Sequence, residues 1–379
     1  MPGRAQGRTP VSDELAALIS AEVGDRAAGW DLAGAIPPEV LRGLGAKGAL
    51  CAEVPAEYGG RGLTGRSNGE LTAHAGALCS SLRSVMTSQG MAAWTIQRFG
   101  TRAQRAAELA RLTGGGLAAV AFSEPQAGSD LSAISTTIVD DGGDGEGVVL
   151  NGHKVWSTAA AYADVLVVFG RYQNDAAAVV VPVDTPGVTV RPIDQPLGCR
   201  AAGHADVLLE DVRLPAARVL SGASQSLGLL TTIALTYGRL SVAWGCVGII
   251  RSCLKAAASH ARTREQFGKP LARHQLIARH LAELVVAEQT ATRVCEHASE
   301  CWDSRSAELS GASVLAKHVA AGNAARAAST AVQVLASAGS VDGEPVARAY
   351  RDAKLMQIIE GSEEICQLIL AERALEGVA

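Results

Sequence analysis

Glu360 is the side chain in this sequence that is best placed to do chemistry, because it stands between two helical patterns. In RDAKLMQIIEGSEE, residues 351–364, apolar residues recur at helical spacing up to Ile359. Gly361 can end that helix in the left-handed conformation, and Ser362 can cap a following helix. A carboxylate held at such a break is a candidate general base, and a solvated glutamate beside a helix cap is the structural alternative.

Two further motifs carry polar groups that suit the edge of an aromatic cofactor. Ser123-Glu-Pro-Gln-Ala-Gly-Ser-Asp130 follows a strand pattern, so its backbone and hydroxyls can donate hydrogen bonds, although a structural turn explains it equally well. In Lys154-Val-Trp-Ser-Thr158, strand alternation predicts that Trp156 and Thr158 share one face. An indole there can pack on a ring while the hydroxyl donates a hydrogen bond.

The motif Arg262-Thr-Arg-Glu-Gln-Phe-Gly-Lys-Pro270 follows a long helical pattern. Its glycine and proline predict that the helix ends at Gly268 and is broken by Pro270, which is a sufficient structural explanation. Arg264 is in addition suited to bind a phosphate.

Several other chemistries lack their usual sequence signals. The chain has no GxGxxG after a parallel strand, no GxxxxGK[ST] and no GxSxG elbow between a strand and a helix, which argues against the common nucleotide-binding loops and against a hydrolase. The eight cysteines show no CxxC pair or Cys/His ligand spacing, so we expect free thiols, with neither a metal site nor a disulfide framework.

Bulk properties limit the partners and the compartment. The chain has 379 residues, of which 48% are hydrophobic and 19% charged, with a net charge of −4, so we expect neither disorder nor nucleic-acid binding. No apolar run approaches the roughly 18 residues that span a bilayer, and MPGRAQGRTP lacks the apolar core of a signal peptide. We therefore expect a soluble, cytoplasmic protein without a membrane partner.

The elements that must position these motifs fall into three regions. We predict an N-terminal helical domain over residues 1–114, with 1–9 as a disordered tail, and a small antiparallel β domain over 115–222. A C-terminal helical bundle should occupy 223–379. Asn151-Gly152 is a hairpin-turn signal within the β domain.

Taken in order, these regions and motifs resemble the acyl-CoA dehydrogenase family over nearly the whole chain. The resemblance rests on SEPQAGSD, KVWST, LGCRAAGHAD followed by LEDVRLP, RTREQFGKP and RDAKLMQIIEGSEE. Within the family, the runs SSLRSVMTSQGMAAWTIQ, CRAAGHAD and VAWGCVG are most similar to the acyl-carrier-protein dehydrogenases of polyketide clusters that make the hydroxymalonyl or methoxymalonyl extender unit. The implied fold has an N-terminal all-α domain, a middle antiparallel β domain and a C-terminal four-helix bundle.

The resemblance also implies roles for individual residues, with FAD as the cofactor. Glu360 matches the family's catalytic base. Positions that match contacts to FAD are Val120, Phe122, Ser123, Gly128, Ser129, Trp156, Ser157, Thr158, Arg264, Gln266, Phe267, His274, Gln275, Gln333, Ala336, Ser337, Ser362 and Glu364. Positions that match contacts to the substrate are Ser129, Arg239 and Gly361. In the family, the adenosine end of FAD is completed partly across a dimer interface, so a homodimer or homotetramer is implied.

Two stretches of the sequence differ from patterns that other members of the family carry. Family members usually carry QxxGGxG where this chain has Gln333-Val-Leu-Ala-Ser-Ala-Gly339, so Ala336 and Ser337 replace the paired glycines and the cofactor contact there should be less close. Some branches of the family carry their base on the helix that here reads TTIALTYGRLS, which has no carboxylate. Glu360 is therefore the candidate base from either position.

The implied activity is FAD-dependent oxidation of an acyl thioester. In the extender-unit pathway the substrate would be a three-carbon acyl group on an acyl carrier protein, 2-hydroxy-3-oxopropionyl, and its product hydroxymalonyl. The alternatives are an ordinary acyl-CoA dehydrogenase that forms a 2-enoyl-CoA, and a flavin-free scaffold that only binds acyl carriers. The sequence leaves the electron acceptor unidentified.

Overall fold

The computed structural model describes residues 9–142, 147–220 and 226–376. Of the predicted disordered tail, residues 1–8 lie outside the described residues. Thr9 does not belong to a tail, because its side chain accepts a hydrogen bond from the Ser12 amide at 3.2 Å and caps the first helix.

The N-terminal region is helical and contains one almost wholly buried helix. Its helices are α1 (Pro10–Val23), α2 (Ala27–Ala33), α3 (Pro38–Ala46), α4 (Gly65–Leu78), α5 (Ser80–Phe99) and α6 (Arg102–Thr113). Helix α5 is rich in serine, alanine and other small residues, and nearly all of its side chains are buried. Its polar side chains therefore lie in the interior, where they can contact both the β region and the C-terminal helices.

The middle region is a seven-stranded sheet in the order β1-β4-β2-β3-β7-β6, with β5 paired to β4. Its strands are β1 (Ala118–Ala121), β2 (Thr137–Asp140), β3 (Gly147–Ser157), β4 (Val165–Tyr172), β5 (Asp175–Pro182), β6 (Val188–Pro192) and β7 (Ala205–Pro215). The predicted antiparallel arrangement is wrong in part, because β4 pairs parallel with both β1 and β2. This mixed pairing brings the end of β1 to the interior of the protein.

Asn151-Gly152 does not form the predicted hairpin turn but lies inside β3. The register between β3 and β7 shifts there, and the Asn151 side chain closes the bulge through hydrogen bonds with the amide and carboxylate of Asp211. A Cβ at Gly152 would lie 2.7 Å from the Cβ of Thr136, so the glycine serves a close approach between neighbouring segments.

The C-terminal region is helical and adjoins α4 and α5. Its elements are α7 (Leu227–Thr263), a small hairpin of β8 (Glu265–Gln266) and β9 (Lys269–Pro270), α8 (Gln275–Asp303), α9 (Leu309–Leu335), α10 (Pro345–Ile358) and α11 (Glu363–Glu376). Helix α7 contacts α4 closely, since a Cβ at Gly76 would lie 2.7 Å from the Gly245 carbonyl oxygen. The predicted order of all-α, β and all-α regions is confirmed.

Helix α7 is also long and apolar enough to span a membrane, contrary to the expectation that no segment would be. Of its most apolar window, 89% is buried inside the protein, as in the core helix of a folded domain. The eight cysteines are all free and buried, as predicted.

Candidate active site

Glu360 lies in the short segment between α10 and α11, and its backbone is unusual. Helix α10 ends at Ile358, and Glu360 itself adopts a positive φ of 57°, followed by Gly361 at 94°. The left-handed conformation was predicted at Gly361 alone. A glutamate in this conformation carries backbone strain, and such strain is concentrated at functional sites. Ser362 then accepts a hydrogen bond from the Ile365 amide at 3.4 Å, which agrees with its predicted capping role.

The Glu360 carboxylate packs against Gly238, near the middle of α7. A Cβ at position 238 would lie 2.6 Å from Glu360 Cδ and 2.8 Å from Met91 Sδ, so only glycine leaves room for the carboxylate. The Oε2 atom of Glu360 is buried and has no hydrogen-bond partner among the described residues. Gly238 lies within the stretch TTIALTYGRLS, which was predicted to lack a carboxylate, and its missing side chain makes room for the side chain of Glu360.

Burial raises the pKa of the Glu360 carboxyl from its usual 4.5 to about 7, although the nearby cations Arg239, Lys317 and Arg83 oppose the rise. A carboxyl group with this pKa is partly ionised near neutral pH, which suits a group that must accept a proton and later release it.

Two buried cations hold the backbone of this segment. Arg239 donates from Nε to the Glu360 carbonyl oxygen at 3.1 Å, and Lys317 donates from Nζ to the Gly361 carbonyl oxygen at 2.5 Å. Both side chains are buried, so the hydrogen bonds are shielded from water. Arg239 was predicted as a substrate contact from the family resemblance, and its bond to the Glu360 carbonyl is a different role, whereas Lys317 was missed. Its sequence signal is a lysine, followed by His318, within the otherwise small and apolar stretch SVLAKHVAAG.

The SEPQAGSD and KVWST motifs are joined by a buried ion pair. Lys154 Nζ lies 2.7 Å from Glu124 Oε1, and both side chains are almost fully buried. Glu124 also accepts hydrogen bonds from the amides of Ser135 and Thr136, and Lys154 also donates to the Phe122 carbonyl oxygen. Burial alone would raise the pKa of Glu124, but the hydrogen bonds from Lys154 and Thr136 outweigh it and hold that pKa below its ordinary value. The pair fixes the loop after β1 against β3.

Trp156 and Thr158 do not share a face through regular alternation as predicted. Trp156 has a positive φ of 56° at a register shift, and Thr158 follows the last residue of β3. The bulge nevertheless brings both side chains to His204. The Trp156 and His204 ring centroids are 5.8 Å apart, and Thr158 Oγ1 lies 3.2 Å from His204 Nδ1.

His204 was not assigned a role by sequence reasoning, although it lies in the LGCRAAGHAD motif. Its ring is buried, and its Nε2 atom has no hydrogen-bond partner among the described residues. Burial, together with the nearby charge of Arg83, lowers the pKa of His204 to about 4, so the imidazole is neutral at neutral pH. The hydroxyl of Ser157, which lies between Trp156 and Thr158 in the chain, is also buried and has no hydrogen-bond partner among the described residues.

Helix α5 connects the end of β1 to the end of β3. The Ser88 hydroxyl donates to the Thr158 carbonyl oxygen at 2.8 Å and accepts from the Val120 amide at 3.3 Å. Phe122 stacks on Phe169 with ring centroids 4.3 Å apart. Three more of the predicted cofactor positions lie in or after this strand end. The Ser123 carbonyl oxygen accepts a hydrogen bond from the Val155 amide, and Gly128 and Ser129 are exposed in the loop that follows.

The predicted phosphate and adenosine positions cluster at the end of α7, and the helix ends earlier than predicted. It ends at Thr263, and Gly268 instead forms the turn between β8 and β9 together with Phe267. Both turn residues have positive φ, as in a type I′ hairpin. His274 lies against this hairpin, with Nε2 3.1 Å from the Gln266 carbonyl oxygen. Arg264 caps α7, and Gln275 begins α8.

The other predicted cofactor positions lie at two helix ends. Gln333 is exposed in the last turn of α9, and Ala336 ends that helix with φ 53° and ψ −131°, a conformation that favours glycine. Ser337 follows it and is exposed. Glu364 is exposed in the first turn of α11, where a hydrogen bond from Ser362 lowers its pKa.

One convergence of potential metal ligands was also missed. His297, Cys301 and Glu308 offer ligand atoms within 4.8 Å of one another, and the histidine and cysteine are four residues apart on α8. The prediction of no Cys/His ligand spacing is therefore wrong for this one pair, although whether the pair binds a metal stays untested.

Known proteins share this fold and these regions. Family models match as follows: acyl-CoA dehydrogenase, N-terminal domain, at residues 9–116; middle domain, at 119–212; and C-terminal domain, at 229–375. The chain is 32% identical over 363 residues to the probable acyl-CoA dehydrogenase YngJ of Bacillus subtilis, covering 94% of each protein. It is also 32% identical to the human mitochondrial short-chain specific acyl-CoA dehydrogenase, covering 89% of this chain and 83% of the relative.

Among solved structures, one similar protein is FkbI, described as acting in biosynthesis of the methoxymalonyl extender unit of the Fk520 polyketide. The two chains are 60% identical, the match covers 95% of this chain and 99% of FkbI, and the TM-score is 0.91. Butyryl-CoA dehydrogenase from Megasphaera elsdenii has a TM-score of 0.92 at 26% identity, with 97% and 98% of the chains covered.

Proposed function

The chain belongs to the acyl-CoA dehydrogenase family of flavin-dependent oxidoreductases, and we propose that it binds FAD and oxidises a short acyl group carried on an acyl carrier protein. The family resemblance and the fold class predicted from the sequence are confirmed. The observation that carries the finer proposal is the 60% identity to FkbI over 95% of this chain, because FkbI is described by its part in making an extender unit.

The residues present fit a flavin. At the ends of β1 and β3, the indole of Trp156 has 53% of its surface exposed and stands beside the Ser157 hydroxyl, which is buried and has no hydrogen-bond partner among the described residues. This arrangement suits a flat ring with a polar edge. Trp156, Ser157 and Thr158 would hold the ring together with Val120 and its neighbours. The pyrophosphate and adenosine would lie against residues of the cluster Arg264, Gln266, Phe267, His274 and Gln275, with Gln333, Ala336, Ser337, Ser362 and Glu364 as further contacts.

The proposed reaction converts 2-hydroxy-3-oxopropionyl to hydroxymalonyl through the hydrate of the terminal aldehyde. When bound, FAD supplies the acceptor for the hydride that leaves the terminal C–H bond. Glu360 takes the proton of one hydrate O–H as that C–O bond becomes the C=O of the new carboxylic acid. Its raised pKa suits it to this step, as does its buried Oε2 atom, which has no partner within the described part of the chain. Arg239 and Lys317 keep its backbone in place.

A 2-enoyl-forming acyl-CoA dehydrogenase is the second candidate, favoured by the relatives YngJ and the human short-chain enzyme. In that reaction Glu360 would remove the α-proton next to the thioester carbonyl. The two candidates differ in the carrier and in the bond that is oxidised, so substrate trials separate them.

We also propose that the protein acts as a homo-oligomer. Phe267, in the turn between β8 and β9, is 95% exposed. On helix α8, Leu276 is 74% exposed and Val286 is 61% exposed. Large apolar side chains at this exposure favour burial against another chain. The first two lie within or beside the proposed adenosine site, so a second copy could complete it. Light scattering of the FAD-loaded protein should give a dimer or tetramer, and a monomer that retains FAD tightly would contradict this part.

The test of the carrier uses matched substrates and salt. Because carrier proteins are typically acidic and this chain has 28 Arg against six Lys, electrostatic steering should contribute to docking, and it is screened over about 8 to 10 Å at ordinary salt. We expect kcat/KM for the acyl-carrier substrate to fall as ionic strength rises, and the matching acyl-CoA to react poorly. Equal efficiency with free acyl-CoA would favour the second candidate.

A further inference from the structure

Three potential metal ligands lie where α8 is followed by α9, and the proposed flavin chemistry gives them no role. His297 and Cys301 are near the end of α8, and Glu308 immediately precedes α9. Nε2 of His297 lies 3.8 Å from Sγ of Cys301 and 3.9 Å from Oε2 of Glu308. All three ligand atoms lie within 4.8 Å of one another. An imidazole nitrogen, a thiol sulfur and a carboxylate oxygen therefore surround one small volume.

The backbone places these ligands together. His297 and Cys301 are four residues apart on one helix, so their side chains lie on the same face. The turn between α8 and α9 is closed by two hydrogen bonds, from the Ser306 amide to the Cys301 carbonyl oxygen at 2.9 Å and from the Leu309 amide to the Ser306 carbonyl oxygen at 3.1 Å. Because this turn holds Glu308 beside the helix end, binding of an ion requires rotation of side chains and no change of the backbone.

The separations between the ligand atoms fit a tetrahedral metal ion. Zinc binds cysteine sulfur at about 2.3 Å and histidine nitrogen or carboxylate oxygen at about 2.0 to 2.2 Å, so its ligand atoms lie about 3.4 to 3.6 Å apart. The separations of 3.8 and 3.9 Å are slightly longer than this. Cys301 is buried, but more than half of the His297 and Glu308 side chains is exposed, so both can rotate toward the sulfur. Water would supply the fourth ligand, as in other zinc sites with three protein ligands.

No stronger partner competes for these side chains in the described part of the chain. Sγ of Cys301 has the His297 nitrogen as its partner, and Glu308 makes no ion pair with an arginine or lysine there. A thiol–imidazole hydrogen bond alone would explain two of the three groups but not the carboxylate beside them. By contrast, His280 and Glu283 lie 3.4 Å apart on the same helix and have no third ligand among the described residues.

The types of ligand define the class of ion. Calcium and magnesium take oxygen ligands, whereas thiolate and imidazole favour zinc and related transition metals. We propose that His297, Cys301 and Glu308 bind one zinc ion per chain. On binding, the Cys301 thiol releases its proton to solvent and the thiolate sulfur forms the bond to zinc, with no change of oxidation state.

The ion would stabilise the contact between α8 and the N-terminal helices. Trp302, next to Cys301, contacts Trp94 of α5, with ring centroids 4.5 Å apart. Asp303 accepts a hydrogen bond from the Gly65 amide at 2.6 Å, at the start of α4. A metal that links the end of α8 to the start of α9 would restrain both of these neighbours. Its role is structural, so the proposal is independent of the proposed FAD chemistry.

Zinc titration of the FAD-loaded protein tests the site. The protein is treated with a chelator, freed of it, and titrated with Zn²⁺ in competition with a chromophoric zinc indicator. We expect one zinc per chain, and a thermal midpoint that rises by about 3 °C when free zinc is at a hundredfold excess over the dissociation constant. Cys301→Ser and His297→Gln should each weaken binding by roughly 100-fold, and the exposed Glu308→Gln by roughly 10-fold.

Cobalt gives a second readout that reports the ligands themselves. Co²⁺ bound in a tetrahedral site with a thiolate absorbs at longer wavelengths than oxidised flavin, so the two signals are separate. The wild-type protein should show these bands, and Cys301→Ser should lose them. The flavin absorbance of each variant measures its FAD content, and an unchanged content shows that a loss of metal does not come from misfolding.

His280→Gln and Cys295→Ser are the matched controls, because both residues are on α8 and neither belongs to the group. Each control should bind zinc as tightly as the wild type. Zinc affinity that is unchanged in Cys301→Ser or His297→Gln, or that falls equally in the controls, overturns the site and indicates adventitious binding only. A wild-type protein that binds no zinc at micromolar concentration, or that binds cobalt without the thiolate bands, also overturns it.

Discussion

Glu360→Gln should stabilise the protein at neutral and alkaline pH. A rise of the Glu360 pKa from 4.5 to about 7 means that folding opposes ionisation of this carboxyl. Between these pH values the unfolded chain loses the proton while the folded chain keeps it, so stability falls as pH rises through this window. The penalty is fully present above the folded pKa and absent below the unfolded one. Glutamine is neutral throughout and avoids it.

The expected gain is on the order of 3 kcal/mol at most above pH 8, since each tenfold change in proton affinity corresponds to about 1.4 kcal/mol. Partial exposure of the residue reduces it through solvent screening. For a chain of this length, 3 kcal/mol corresponds to a rise in thermal midpoint of about 4 °C.

Thermal unfolding of both holoproteins at saturating FAD, from pH 5 to pH 8.5, measures the gain. We expect the difference in midpoint to grow across this range. Glu364→Gln is the matched control, because its carboxyl has a lowered pKa and its loss should not stabilise the protein at any pH. A Glu360→Gln difference that is constant with pH would refute the buried, proton-retaining carboxyl.

Three further substitutions test the parts that position the site. Gly238→Ala should displace the Glu360 carboxylate, because the new Cβ would lie 2.6 Å from its Cδ. We expect flavin reduction by substrate to slow by roughly 10²-fold while the FAD content stays unchanged. A normal rate would show that the close contact is unimportant. Ala336→Gly should raise the free energy of unfolding by roughly 1 kcal/mol, because the alanine has a φ of 53°, which glycine adopts more easily. Denaturant titration measures this gain. A loss of stability would contradict the inferred strain. Lys154→Met should lower the free energy of unfolding by roughly 3 to 5 kcal/mol, because it leaves Glu124 buried and unpaired. The double variant Lys154→Met, Glu124→Leu should recover much of this loss. Equal losses in the single and double variants would show that the cost does not come from the unpaired Glu124.

Local sequence pattern predicted the features that depend on near neighbours. The change from helical to strand spacing and back predicted the order of the regions, and the Gly361-Ser362 pair predicted the break after α10. Asn151-Gly152 shows the limit of such reasoning, because a dipeptide that favours a turn is held in a strand bulge by contacts with Asp211 and Thr136.

The features that the sequence could not predict depend on residues distant along the chain. Gly238 meets Glu360 across 122 positions, and no local pattern indicates that contact. Arg83, Lys317 and His204 were missed because single polar residues in small, apolar stretches give no sign of their partners. A charged residue that interrupts an apolar helical pattern, such as Arg83 or Lys317, was nevertheless a signal available in the sequence.

The most direct test of the account is anaerobic reduction of the protein-bound flavin by 2-hydroxy-3-oxopropionyl on its acyl carrier protein. The wild-type protein should purify with FAD and lose its flavin absorbance in a single turnover, with hydroxymalonyl as the carrier-bound product. Glu360→Gln should retain FAD and bind the substrate, but lose absorbance at least on the order of 10² to 10⁴ more slowly. Bleaching at a near-normal rate in Glu360→Gln would show that the base lies elsewhere, and a wild-type flavin that this substrate does not reduce would contradict the proposed activity.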